Sequence, residues 1–306
     1  MNHKINFNIN PGTIALVSAM IIWGLTFIVT KIALSETGPF TLNVIRLCAA
    51  WLVLYPFAYR QGYRLKDTLK PPFLWFGFTG VALFYGAETV GLNYTSAASG
   101  SLIQAGIPAL TALFSYLLLG ERLSLLQGAG VALSVSGVVL ITVAGAYDTA
   151  NDSLLGNLLV VASLLSWVAY TIQGKKWGGQ YPTLVITTAS MASGFLFLLP
   201  FGGFEIAAQG LPHLSLSGIL AIAYLTLGGS AGAYFLWNYG LKHMNAVEAS
   251  PYINLIPVVG LAGAMLWGEP VSIFQFAGGA VAIVGVWMSG MSPRPQAVQP
   301  ASSQEP

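Results

Sequence analysis

Two ionisable side chains stand alone in long apolar runs, Arg46 within Thr41–Trp51 and Glu88 within Val81–Leu92. A charge so placed costs about 2.5–3.5 kcal/mol on membrane-insertion scales, so each needs a partner or a task. An arginine there suits an anionic group; a carboxyl suits a cationic group or a proton that comes and goes. Equally, the two could form a buried pair with each other, costly to break and without further function. Aromatic residues gather at helical spacing around them. Tyr85 lies three residues before Glu88, Tyr234 and Trp237 are likewise three apart, and Trp23 and Trp167 stand in other apolar runs. Such rings could wall a chamber for a partly apolar or cationic solute. Tryptophan and tyrosine also populate membrane interfaces, and that reading stays open. A polar stripe of Ser101, Gln104, Thr111 and Ser115 shares a face with Pro108, while Ser250, Asn254 and Pro257 repeat its pattern later. Here Gln104 and Asn254 are candidate cavity residues, and the hydroxyls read as interhelical packing. The candidate substrate-binding set is therefore Trp23, Arg46, Tyr85, Glu88, Gln104, Trp167, Tyr234, Trp237 and Asn254.

Catalysis finds no footing. One cysteine, Cys48, and three scattered histidines, His3, His213 and His243, give no metal-ligand spacing. No nucleophile elbow, phosphate-binding loop or carboxylate pair is present, so no catalytic residue, metal or cofactor is expected, and a lipid-directed enzyme is disfavoured.

The elements that must position these residues follow from composition. Hydrophobic residues make up 55% and charged residues 7% of the chain, against about 25% charged in soluble domains. A bilayer is the solvent such a chain fits. A hydrocarbon core takes about 20 apolar residues per helix. That ruler predicts ten spans, at 12–34, 39–60, 72–94, 98–119, 124–145, 154–174, 182–203, 215–240, 246–268 and 271–291. The first is too long for a signal peptide and reads as retained. Residues 1–11 read as a cytoplasmic N-terminus and 292–306 as a disordered cytoplasmic tail. Counting from the N-terminus, one face collects Lys4, Arg60, Arg64, Lys66, Lys70, Arg122, Lys175, Lys176, Lys242 and Arg294. The other holds Lys31 with Glu36, Asp148, Asp152, Glu205 and Glu269. This asymmetry predicts a multi-pass protein of the bacterial inner-membrane type with both termini cytoplasmic. Nothing suggests nucleic acid; the expected partners are lipid and a small solute, and the chain could be a monomer or a homodimer.

The halves 12–145 and 154–291 resemble each other. A shift of 144 residues places Trp23 on Trp167 and Lys31 on Lys175; a shift of 149 places Gly80 on Gly229, Tyr85 on Tyr234 and Pro108 on Pro257. After a gap, Gly120-Glu121 meets Gly268-Glu269 and Gln127 meets Gln275. With five spans per half, the second enters from the opposite side. The expected fold is thus all-α, two inverted five-helix repeats around a central cavity, as in secondary transporters that alternate access. A channel-like facilitator without alternation is the competing reading.

Several stretches are similar to the EamA-type branch of the drug/metabolite transporter superfamily. They are Trp23-Gly24-Leu25-Thr26-Phe27, Arg46, the run from Tyr94-Thr95-Ser96-Ala97 to Pro108, and Leu118-Leu119-Gly120-Glu121-Arg122-Leu123. Pro257 through Leu266-Trp267-Gly268-Glu269 is the second-half echo. This resemblance spans residues 12–291 and implies ten helices around a central cavity, with export or exchange of metabolites such as amino acids. It does not name the cargo.

Overall fold

The computed structural model describes residues 11–120, 123–144, 152–177, 180–243 and 250–289. The expectations for 1–10 and for the tail from 290 onward fall outside the described residues. Every regular element described is helical. Eight helices are long and apolar enough to cross a membrane: α1 (Pro11–Leu34), α2 (Pro39–Arg60), α3 (Pro71–Asn93), α4 (Ala97–Leu118), α5 (Leu125–Val143), α6 (Leu154–Gly174), α7 (Thr183–Gln209) and α8 (Leu216–Gly240). Two shorter apolar helices follow, α9 (Tyr252–Leu266) and α10 (Ile273–Ser289). One expected boundary moves substantially. The seventh span, expected to end at 203, runs on as helix to Gln209 before Gly210 turns the chain.

Local signals set the ends. Prolines open α2 and α3, where the missing N–H costs nothing. Ser124 and Gln127 cap α5 reciprocally, and Ser272 and Gln275 do the same for α10, 148 residues later. Gly120 and Gly268, the two Gly-Glu motif glycines, both adopt left-handed backbone, with φ of 69° and 87°. A helix end of this kind suits glycine because left-handed backbone strains any residue that carries a Cβ, although the space around both is open. Single turns of 3₁₀ helix precede the two equivalent prolines, at Gln104–Gly106 and Ser250–Asn254.

Helix α1 packs on α8 and α9, α6 packs on α3 and α4, α2 pairs with α7, and α5 pairs with α10. Exchanging the first five helices for the last five leaves this set of pairings unchanged. In the α5–α10 pair, Gly130 faces Gly285 and Gly137 faces Gly278 so closely that a Cβ on any of the four would meet the partner's backbone. Large exposed side chains such as Leu52, Phe57, Trp75, Phe204, Leu266 and Trp287 are apolar, which suits a lipid-facing surface.

The end of the bundle away from the N-terminus is tied by carboxylates at helix starts. Glu205 accepts from the Thr41 N–H at 2.7 Å, and Glu36 accepts from the Ser215 N–H at 2.7 Å. Glu269 takes the N–H groups of Ala97 and Ala98, and Asp152 takes the Ser96 N–H and hydroxyl and the Gln275 amide. Lys31 lies in the field of Asp152 and Glu269 and donates to the carbonyls of Leu92 and Thr95. A helix start exposes unpaired N–H groups and a partial positive charge, which a carboxylate satisfies. Glu36, Asp152, Glu205 and Glu269, expected on this face, thus also serve as helix-start caps, while Asp148 lies outside the described residues.

Candidate functional site

Helices α3 and α8 are each interrupted by a wide π-type turn, at Phe78–Leu83 and Tyr224–Gly232. A π turn slips the i→i−4 ladder and frees backbone carbonyls, and such turns recur at functional sites. Both segments are glycine-rich, with Gly77 and Gly80 in or beside one and Gly228, Gly229 and Gly232 in the other, so a regular helix is weakly favoured. Gly80 also makes room: a Cβ there would lie 2.1 Å from the Tyr170 ring.

Neighbouring helices supply donors for those carbonyls. The Trp23 indole N–H donates to Gly229 O at 3.0 Å, and the Tyr234 hydroxyl donates to Gly80 O at 2.8 Å. The Ser166 hydroxyl donates to Thr79 O, and Arg46 Nη2 reaches Leu225 O at 3.5 Å. Asn43, buried in α2, donates to Tyr85 O and accepts from the Thr89 hydroxyl, which fixes the far half of α3.

Between these helices lies a cavity of about 470 Å³, its mouth included. Of the nine candidates, Trp23, Arg46, Tyr85, Glu88, Gln104, Trp167 and Tyr234 line it. Trp23, Trp167 and Tyr234 meet edge-on, with centroids 5.4–5.6 Å apart. Edge-to-face geometry puts the positive rim of one ring on the negative face of another, worth about 0.5–1.5 kcal/mol per pair. Trp237 stands behind the wall, 6.0 Å from Trp23 and outside the lining. Asn254 is half-buried beside the lining residues Ile253 and Ile256, with its Oδ1 lacking a protein partner.

Arg46 and Glu88 both face this space, yet they are not joined as an ion pair. Arg46 is 1% exposed, donates from Nε to Ser230 at 3.0 Å, and holds its guanidinium 4.0 Å over the Tyr85 ring. Glu88 is 4% exposed and accepts from Gln104 Nε2 at 3.1 Å. That amide is shared with Ser163, while Gln104 Oε1 is buried with no partner. The cavity therefore presents a guanidinium held by neutral groups, a carboxyl with spare hydrogen-bonding capacity and an unused carbonyl, all within aromatic walls.

Sequence reasoning did not single out Thr26, Phe27, Phe84, Ile107, Ile253 and Ile256, which also line the space. A helical step of three or four from Trp23 and Gln104 reaches three of them. Phe84 and the two isoleucines carried no distinguishing signal in so apolar a chain.

A family model described as the EamA-like transporter family matches twice, over residues 10–143 and 154–291. The chain is similar to the uncharacterized transporter YcxC of Bacillus subtilis, 30% identical over 288 residues, covering 90% of this chain and 91% of that one. It is 27% identical to the uncharacterized transporter YyaM of the same organism, covering 89% and 91% of the two chains. At 27% identity, with 90% and 91% covered, it is also similar to a protein of Streptantibioticus cattleyicolor named "Probable terminal-alkyne amino-acid exporter". A solved structure titled only "Crystal structure of protein" superposes with a TM-score of 0.63 at 20% identity, covering 91% of this chain and 96% of that one, and so shares the fold. Two matches of one family model, together covering nearly all of the described helices, decide the matter: this multi-pass chain belongs to the EamA-like transporter family of the drug/metabolite transporter superfamily.

Proposed function

We propose that the protein is a secondary transporter that exports or exchanges a small zwitterionic metabolite of the amino-acid type by alternating access. Ten spans, the two shorter helices included, form two inverted repeats, with both termini cytoplasmic as the basic residues of one face favour. One observation carries the reading: a single aromatic-walled cavity contains a buried guanidinium and a buried carboxylate that do not neutralise each other directly. Arg46 suits a substrate carboxylate, and Glu88 with the unused Gln104 Oε1 suits an ammonium group. Rings of Trp23, Phe84, Trp167 and Tyr234 suit the apolar remainder. A relative named as an amino-acid exporter supports the same class of cargo.

Ligand-induced thermal stabilisation of the purified protein tests the charge pattern. A ligand at 100 times its Kd stabilises by about 2.7 kcal/mol. Free amino acids with large apolar side chains should raise the melting temperature, while their N-acetyl and carboxamide derivatives, each lacking one charge, should not. Equal stabilisation by the derivatives would contradict the assignment.

A further inference from the structure

The two π-turn glycine carbonyls that accept side-chain donors are not served symmetrically. Gly80 and Gly229 are equivalent under the shift of 149 residues, as are Tyr85 and Tyr234, and Trp23 is equivalent to Trp167 under the shift of 144. Exchange of the halves turns the bond from Trp23 to Gly229 O into one from Trp167 to Gly80 O. It likewise turns the bond from Tyr234 to Gly80 O into one from Tyr85 to Gly229 O. Neither exchanged bond is among the hydrogen bonds of the described residues. Gly80 O accepts from the Tyr234 hydroxyl, and Trp167 makes ring contacts with Trp23, Phe84, Tyr170 and Tyr234 instead. Tyr85 is nonetheless close to the other turn: its hydroxyl meets the side chain of Ser230, the residue next to Gly229.

We propose that the two sets of donors alternate on these carbonyls during the transport cycle, Trp23 and Tyr234 in one conformation and Trp167 and Tyr85 in the conformation open to the opposite face. A side-chain bond to either carbonyl contributes about 1 kcal/mol, so whichever set is engaged favours its own conformation. Both sets also wall the cavity, which links the exchange to cargo. These four side chains are positioning residues for the backbone of α3 and α8 as well as walls of the site. The inference rests on the alternating-access reading.

Cysteine accessibility tests it in the full-length protein. With Cys48→Ser as background, Ile107→Cys places one reporter thiol in the cavity. Its labelling by a membrane-impermeant maleimide is compared in right-side-out and inside-out vesicles. Tyr234→Phe, which deletes only a hydroxyl, and Trp23→Phe, which keeps a ring but loses the indole N–H together with some volume, should shift the outside-to-inside labelling ratio about fivefold in one direction. That is the effect of one hydrogen bond of ~1 kcal/mol. Trp167→Phe and Tyr85→Phe should shift it by a similar factor in the other direction. Destabilisation alone would move all four the same way. A common direction, or a ratio unchanged in all four, overturns the exchange. A reporter that labels fully and at the same rate from both faces before any of these substitutions overturns alternating access itself.

Discussion

Replacing Glu88 by glutamine separates a carboxylate kept for cargo from one kept for structure. In the structure Glu88 accepts one protein hydrogen bond, from Gln104 Nε2, and is 4% exposed. Glutamine preserves that bond through its own carbonyl and buries a neutral amide where a carboxylate stood. Burying a charge without a directly bonded counter-charge is expensive, so the variant should melt at the same temperature as the wild type or higher. What it loses is a charge-assisted bond to a substrate ammonium. Such bonds contribute about 1.5–3 kcal/mol, which corresponds to roughly 10- to 150-fold weaker binding. Glu88→Asp keeps the charge but withdraws it by one methylene, so its binding should fall between the two. Scintillation proximity binding of a labelled substrate and melting in detergent, run on the same preparations, read both quantities. A fall in melting temperature together with unchanged affinity would refute the reasoning and make Glu88 a structural group.

Three other outcomes follow. Gly137→Ala and Gly285→Ala place a Cβ 2.5 Å and 2.2 Å from backbone nitrogens of the facing helix, so overpacking should cost about 1–3 kcal/mol each, read by thermal melting. Gly128→Ala, with open space around it, should cost nothing by the same measurement. Asp152→Ala strips the Ser96 N–H, the Ser96 hydroxyl and the Gln275 amide of a buried acceptor and should destabilise by at least ~3 kcal/mol, whereas Asp152→Asn, which keeps one oxygen, should cost less. Glu36 is held below its ordinary carboxylate range by the Ser215 hydroxyl and N–H. Its contribution to stability is therefore present at neutral pH and is lost as pH falls through that lowered value, so Glu36→Gln should flatten the acid side of a melting-temperature profile measured between pH 7 and pH 3.

The eight long apolar helices were legible in the sequence because the bilayer imposes a length and a polarity on each span, although the end of α7 at Gln209 was not. The Gly-Glu motifs and the serine–glutamine boxes carried local backbone requirements that survive in any context. Arg46, Glu88 and Gln104 were legible for the opposite reason, since their polarity contradicts their surroundings. What could not be read was which polar group meets which. The expected alternative of an Arg46–Glu88 pair gives way to Ser230 and Tyr85 on one side and Gln104 on the other, contacts set by the π turns of α8 and α3. A π turn rotates every later side chain on its helix by one position, and regular helical spacing does not register that slip. Trp237 departs for a simpler reason: on the regular helix that follows the π turn, three residues leave it well off the direction of Tyr234, and it packs 6.0 Å from Trp23, outside the lining. The capping roles of Glu36, Asp152, Glu205 and Glu269 were not legible either, because a loop carboxylate and a helix cap look alike until the helix start beside it is placed.

Counterflow in proteoliposomes tests the central claim most directly. With the purified protein reconstituted and the vesicles preloaded with an unlabelled amino acid that stabilises it, entry of the labelled form should saturate and run several-fold faster than into empty vesicles. Uptake that rises linearly with concentration and ignores the luminal solute would mean an open pore, and would contradict a carrier whose single cavity serves one face at a time.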